Sequence, residues 1–113
     1  MMDTAIPFSV TRSQATRLQA YIHVYRQYVF TSILPSVERN SMLRTLQAIQ
    51  GKLFTTMEQR TTSLQLVLTC DEMAILKAVV SEMLLFYTNQ PESPERIVCV
   101  GDLAAFKNSL KEY

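Results

Sequence analysis

Tryptophan is missing from this chain, and glycine, cysteine and histidine are scarce: two, two and one among 113 residues. With only Gly51 and Gly101, a glycine-rich loop that cradles phosphate on its backbone N–H groups has no raw material. A zinc centre takes four nitrogen or sulfur ligands, or three with an open position. Cys70, Cys99 and His23 are the whole supply, and the two cysteines stand far apart in the chain, so no CxxC pair exists. The expectation is two reduced structural thiols in a cytoplasmic protein. Long apolar runs are also lacking. The longest, Met73 to Tyr87, is broken by Lys77 and Glu82 and is too short and too charged to cross a bilayer. The opening MMDTAIPFSV has neither a basic start nor an apolar core, so no signal peptide is expected. No GxSxG elbow and no paired carboxylates are found. The chain is therefore expected to be non-enzymatic, with no metal and no cofactor.

A hydrophobic fraction of 48% against 19% charged residues suits a folded protein rather than a disordered one. The size fits one domain spanning residues 1–113. The net charge of +1 draws the molecule to neither nucleic acid nor membrane, but the charge is unevenly spread. Residues 1–62 hold seven bases and three acids, a net +4, and residues 63–113 hold four bases and seven acids, a net −3. With so few charges chance accounts for this; otherwise the halves attract each other, or the first half meets an acidic partner.

Hydrophobic periodicity predicts helices. Thr11-Arg-Ser-Gln14 has the spacing of a capping box, in which the Thr hydroxyl accepts from the third amide and the Gln side chain reaches back to the cap amide. A helix from about Arg12 to Ile33 follows, with Leu18, Tyr21, Ile22, Tyr25, Tyr28, Val29 and Ser32 on one face. Pro35 ends it. Ser36 starts a second helix to about Glu58, with the stripe Met42, Leu46, Ile49, Leu53, Met57. Gly51 inside it costs about 1 kcal/mol relative to Ala; it either admits a close neighbouring helix or is a plain propensity defect. Leu64–Leu68 alternates in part and reads as extended, as does Phe8–Val10. Thr69-Cys-Asp-Glu72 is a second capping box, opening a third helix over about Cys70 to Thr88. That helix is apolar around most of its circumference and needs neighbours on more than one side. Residues 89–94 form a proline-bearing linker. Ile97–Val100 is short and β-branched, extended or a helical turn, and Asp102 after Gly101 reads as the cap of a fourth helix carrying Leu103, Phe106 and Leu110.

The two halves, about 8–58 and 66–113, read as variants of one unit. Sliding the chain along itself until Thr11 falls on Thr69 lays Gln14 over Glu72 and Leu18 over Leu76. A slide one place shorter lays Leu46, Ile49 and Leu53 over Leu103, Phe106 and Leu110. Duplication produces such a match, and so does shared helical periodicity. Either way the expected fold is mainly α: a four-helix, bundle-like domain from two helix-hairpin halves, with the two extended pieces pairing at most as a minimal β ribbon.

Three readings of individual residues follow. His23 has Gln19 and Gln27, not an acid, within a helical turn, so it reads as a structural histidine rather than a general base. Tyr21, Tyr25 and Tyr28, with Arg17 and Arg26 nearby, could stack on single-stranded nucleic acid; the same positions continue the Leu18 stripe and read as core or subunit interface, hydroxyls at the rim. Arg12, Arg17, Arg39, Arg44 and Lys52 form a candidate basic face, against the alternative of ordinary solvated helix surfaces. The leading functional expectation is a helical protein–protein interaction or oligomerisation module, a homodimer contacting itself through Ile75, Val79, Met83, Leu85 and Phe86 of the third helix. Met73 and Met83 suit an adaptable contact surface. The alternative is a nucleic-acid-binding accessory protein using the basic N-terminal half.

Overall fold

A computed structural model describes residues 6–30, 36–61 and 63–113. The order of elements is β1 (Ile6–Thr11), α1 (Arg12–Phe30), α2 (Ser36–Thr56), β2 (Ser63–Leu68), α3 (Cys70–Thr88) and α4 (Pro94–Leu110). The protein is mainly helical with one two-stranded antiparallel sheet. Among the described residues no helix is long and apolar enough to cross a membrane. Both strands alternate strictly. Phe8 and Val10 of β1 and Leu64, Leu66 and Leu68 of β2 are buried, while Ser9, Thr11, Ser63, Gln65 and Val67 face outward. The register sets Phe8 opposite Leu66 and Val10 opposite Leu64, so one face of the ribbon is continuous apolar surface. A two-stranded ribbon is marginal alone; here the helices cover its apolar face, and all six elements contribute to one buried cluster.

Local chemistry sets the helix starts. Thr11 and Gln14 exchange both capping-box bonds, Gln14 N–H to the Thr11 hydroxyl at 3.1 Å and Thr11 N–H to Gln14 Oε1 at 2.9 Å. Thr69 and Glu72 do the same at the head of α3, at 3.1 and 2.8 Å. Helix α4 begins earlier than the sequence suggests. Ser93 is its cap, accepting from the Arg96 amide at 3.1 Å, and Pro94 takes the first turn, where a missing N–H is no loss. Residues 97–100 are therefore helical, and Asp102 lies in the middle of α4 rather than at its cap. The guanidinium of Arg96 donates to the Tyr87 and Thr88 carbonyls, each at 3.0 Å, capping the end of α3, where the Tyr87 carbonyl also accepts from the Gln90 amide at 3.2 Å.

Two further expectations change. Tyr28 is 64% exposed and does not belong to the core stripe. Gly51 admits no neighbouring helix: a Cβ there would meet nothing within 4 Å. Ser32, Ile33 and Pro35 lie outside the described residues. The strong apolarity of α3 has a clear cause, since it packs against α1, α2, α4 and β2.

The order β-α-α occurs twice, and the recurrence extends to individual positions. Helices α1 and α3 have the same length, 19 residues each. Aligning the first residue of α1 with that of α3 also aligns the first residue of α2 with that of α4. In that alignment the buried side chains Ala15, Leu18, Tyr21, Ile22 and Tyr25 fall on Met73, Leu76, Val79, Val80 and Met83, which are buried too. With a slip of one place, buried Leu46, Ile49 and Leu53 of α2 fall on buried Leu103, Phe106 and Leu110 of α4.

Candidate functional site

The uneven charge of the two halves has a visible use. Both ion pairs among the described residues join a base of the first half to an acid of the second. Arg17 Nε lies 2.8 Å from Asp102 Oδ2, and the Lys52 ammonium bonds the Glu72 carboxylate. The Tyr21 hydroxyl donates to the same Asp102 oxygen at 2.9 Å, and the Tyr25 hydroxyl donates to Glu82. Burial first, then the bonded carboxylate, pushes both phenols well above the ordinary tyrosine value. Burial also pushes the Glu72 carboxyl up, but the Lys52 ammonium together with the Thr69 amide and hydroxyl outweighs it and holds the group below the usual carboxylate range. These groups tie α1 and α2 to α3 and α4.

This arrangement disperses the candidate basic face. The Arg12 guanidinium donates to the Met57 and Gln59 carbonyls, Arg17 faces Asp102, and Lys52 faces Glu72. Arg39 is half-buried, and Arg44 is exposed on the outer side of α2. Of the contact residues expected on α3, Val79 and Met83 are buried inside the chain's own core, Ile75 is half-buried, and Leu85 and Phe86 are exposed. His23 is exposed. Among the described residues no group of three His, Cys, Asp or Glu side chains could hold a metal ion, and neither Cys70 nor Cys99 is in a disulfide.

One surface that departs from an ordinary solvated helix is on α4. Its inner side is Leu103, Phe106 and Leu110; its outer side is Ile97, Val98, Gly101, Ala104, Ala105 and Asn108, spaced by threes and fours and bearing no charge. Ile97 is 58% exposed and Val98 65%. When the buried stripes of the two helices are superposed, the corresponding positions of α2 are Asn40, Ser41, Arg44, Gln47, Ala48 and Gly51. In that superposition polar α2 positions fall over mostly apolar α4 positions, although α2 also packs against α3 and β2 while α4 packs mainly against α3. Sequence reasoning missed this face because it began the helix at Asp102. The Ser93-Pro94-Glu95 start would have revealed it, since Pro in the first turn after a Ser cap is a helix-opening signal.

A second distinct surface is the outer side of the ribbon. Ser9, Thr11, Ser63 and Gln65 present uncharged hydrogen-bonding groups there, and Gln65 Nε2 donates to Ser9 Oγ at 2.9 Å. Comparison with protein families, with curated proteins and with solved structures finds no match.

Proposed function

We propose that this protein is a non-enzymatic contact module that self-associates through the outer face of α4. The observation that carries the reading is the exposed, uncharged face from Ile97 to Asn108, set against its polar counterpart on α2. A contiguous uncharged stripe with its two largest apolar side chains in water suits a contact surface.

The order of side chain sizes favours a second copy as the occupant. Ile97 and Val98 stand four and three places before Gly101, and Ala104 and Ala105 stand three and four after it. In an antiparallel pair related by a twofold axis, Ile97 faces Ala104 of the second copy and Val98 faces its Ala105, large against small. The two Gly101 residues meet at the crossing, where the absence of a side chain lets the backbones approach. A twofold contact must be complementary to itself, and this sequence of sizes is. One helix of 17 residues offers about 25 Å of length. That is less than a standard interface, so association is weak and rises with concentration.

Sedimentation analysis from about 1 μM to about 500 μM tests this. The native chain should pass from monomer to dimer. Val98→Glu should stay monomeric with unchanged helical circular dichroism, and Arg44→Glu, at the place on α2 equivalent to Gly101, should dimerise as the native chain does. A native chain that stays monomeric throughout ends the reading.

A second reading rests on the ribbon. The major groove of DNA admits a two-stranded β ribbon, and the outward Ser9, Thr11, Ser63 and Gln65 are side chains able to bond base edges. Phosphate neutralisation would fall to few cations, with Arg60 exposed beside β2. This reading expects salt-sensitive duplex binding that Gln65→Ala weakens; folded protein that ignores duplex DNA at low salt removes it.

A further inference from the structure

Three of the four cationic side chains of the acidic half converge on one place. Lys77 of α3 and Lys107 and Lys111 at the end of α4 line a groove of about 190 Å³ together with Ser81 and Leu110. No carboxylate side chain lines it. Lys77 donates to the Tyr113 main-chain oxygen, and among the described residues the ammonium groups of Lys107 and Lys111 have neither an ion pair nor a hydrogen bond. Cations near the C-terminus of a helix suit its dipole, which accounts for Lys107 and Lys111 on their own. It does not account for Lys77, which sits in the middle of α3 and brings a third like charge to the same groove.

The fold does not impose this cluster. The corresponding positions of the first half are Gln19, His23, Gln50 and Phe54. There two glutamines are tied into hydrogen bonds, with Gln19 Nε2 donating to the Gln50 carbonyl at 2.9 Å and the Arg26 guanidinium donating to Gln50 Oε1 at 2.6 Å. Where one half places bonded glutamines, the other places three lysines around an opening.

We propose that the groove between α3 and α4 is a binding site for a compact polyanion of the phosphate class. Three ammonium groups each offer up to three donors to oxyanion oxygens, and the Ser81 hydroxyl adds another. The volume equals that of about six waters at ~30 Å³ each, the scale of one or two tetrahedral oxyanions. Lysine suits such a ligand because it acts as a point charge that needs no planar match.

Titration calorimetry of the full chain with inorganic pyrophosphate at low salt is the test. The expected result is saturable binding at one site and a rise in melting temperature on adding the anion. The exposed pair Lys107→Gln and Lys111→Gln should weaken binding roughly tenfold or more while helical circular dichroism is retained. Arg44→Gln, which removes a cation elsewhere on the surface, should leave it unchanged. Val98→Glu should also leave it unchanged, which separates this site from self-association. Absence of binding by the native chain, or equal binding by the double variant, overturns the proposal.

Discussion

Tyr21 and Tyr25 each bury a ring and bring a hydroxyl out to a carboxylate of the other half, and this makes stability sensitive to alkali. Unfolded, each phenol titrates near 10.0; folded, burial and the bonded acid raise that value. The folded state therefore holds these protons more tightly, and the stabilisation is complete below pH 10.0 and lost as pH climbs beyond it. Urea midpoints should fall steeply above pH 10.0 in the native chain and less steeply in Tyr25→Phe, which at neutral pH should cost about 1 kcal/mol. Glu72 works in the opposite sense. Its folded value lies below the ordinary 4.5, so its contribution is present above that pH and disappears as acid drives the group through the lower value. Glu72→Gln should flatten the loss of melting temperature on acidification below pH 4.5. The capping role of Glu72 is legible from Thr69-Cys-Asp-Glu72, because capping is a contact within one helical turn. The Lys52 partner is not, since it belongs to a different helix and only packing brings the two together.

At the level of elements, the helices with capping boxes begin where the chain says they should, and β1 and β2 follow their alternation. Helix α4 illustrates the opposite case. Ile97-Val98-Cys99-Val100 is a β-branched run that competes for extended structure, and Gly101-Asp102 imitates a helix start; the Ser93 cap and the Arg96 bonds to the end of α3 prevail because they hold the helix in register with its neighbour. Thr69→Ala should destabilise the protein by about 1 kcal/mol, measured by urea unfolding, through loss of the cap bond. Gly51→Ala should do the reverse. With open space around the new methyl group and a helical backbone, it should stabilise by roughly 1 kcal/mol. A loss instead would show that the outer side of α2 is covered in solution.

Taken as a whole, the molecule has two β-α-α units that share one ribbon and one core. Periodicity made the helical class readable, because it is a property of spacing. Which exposed positions matter was not readable, since Leu85 and Val79 look alike on paper while the first is 62% exposed and the second fully buried. If the equivalence is physical, Leu18→Ala and Leu76→Ala should cost similar amounts, about 2–5 kcal/mol each, in equilibrium unfolding. The shared ribbon also has a consequence for biosynthesis. Ile6 at the start of β1 pairs with Leu68 at the end of β2, so the first strand is made long before its partner is complete. At about 5–20 residues per second the delay is roughly 3–11 s, during which the growing chain displays a bare apolar strand to whatever chaperone or neighbouring polysome is at hand.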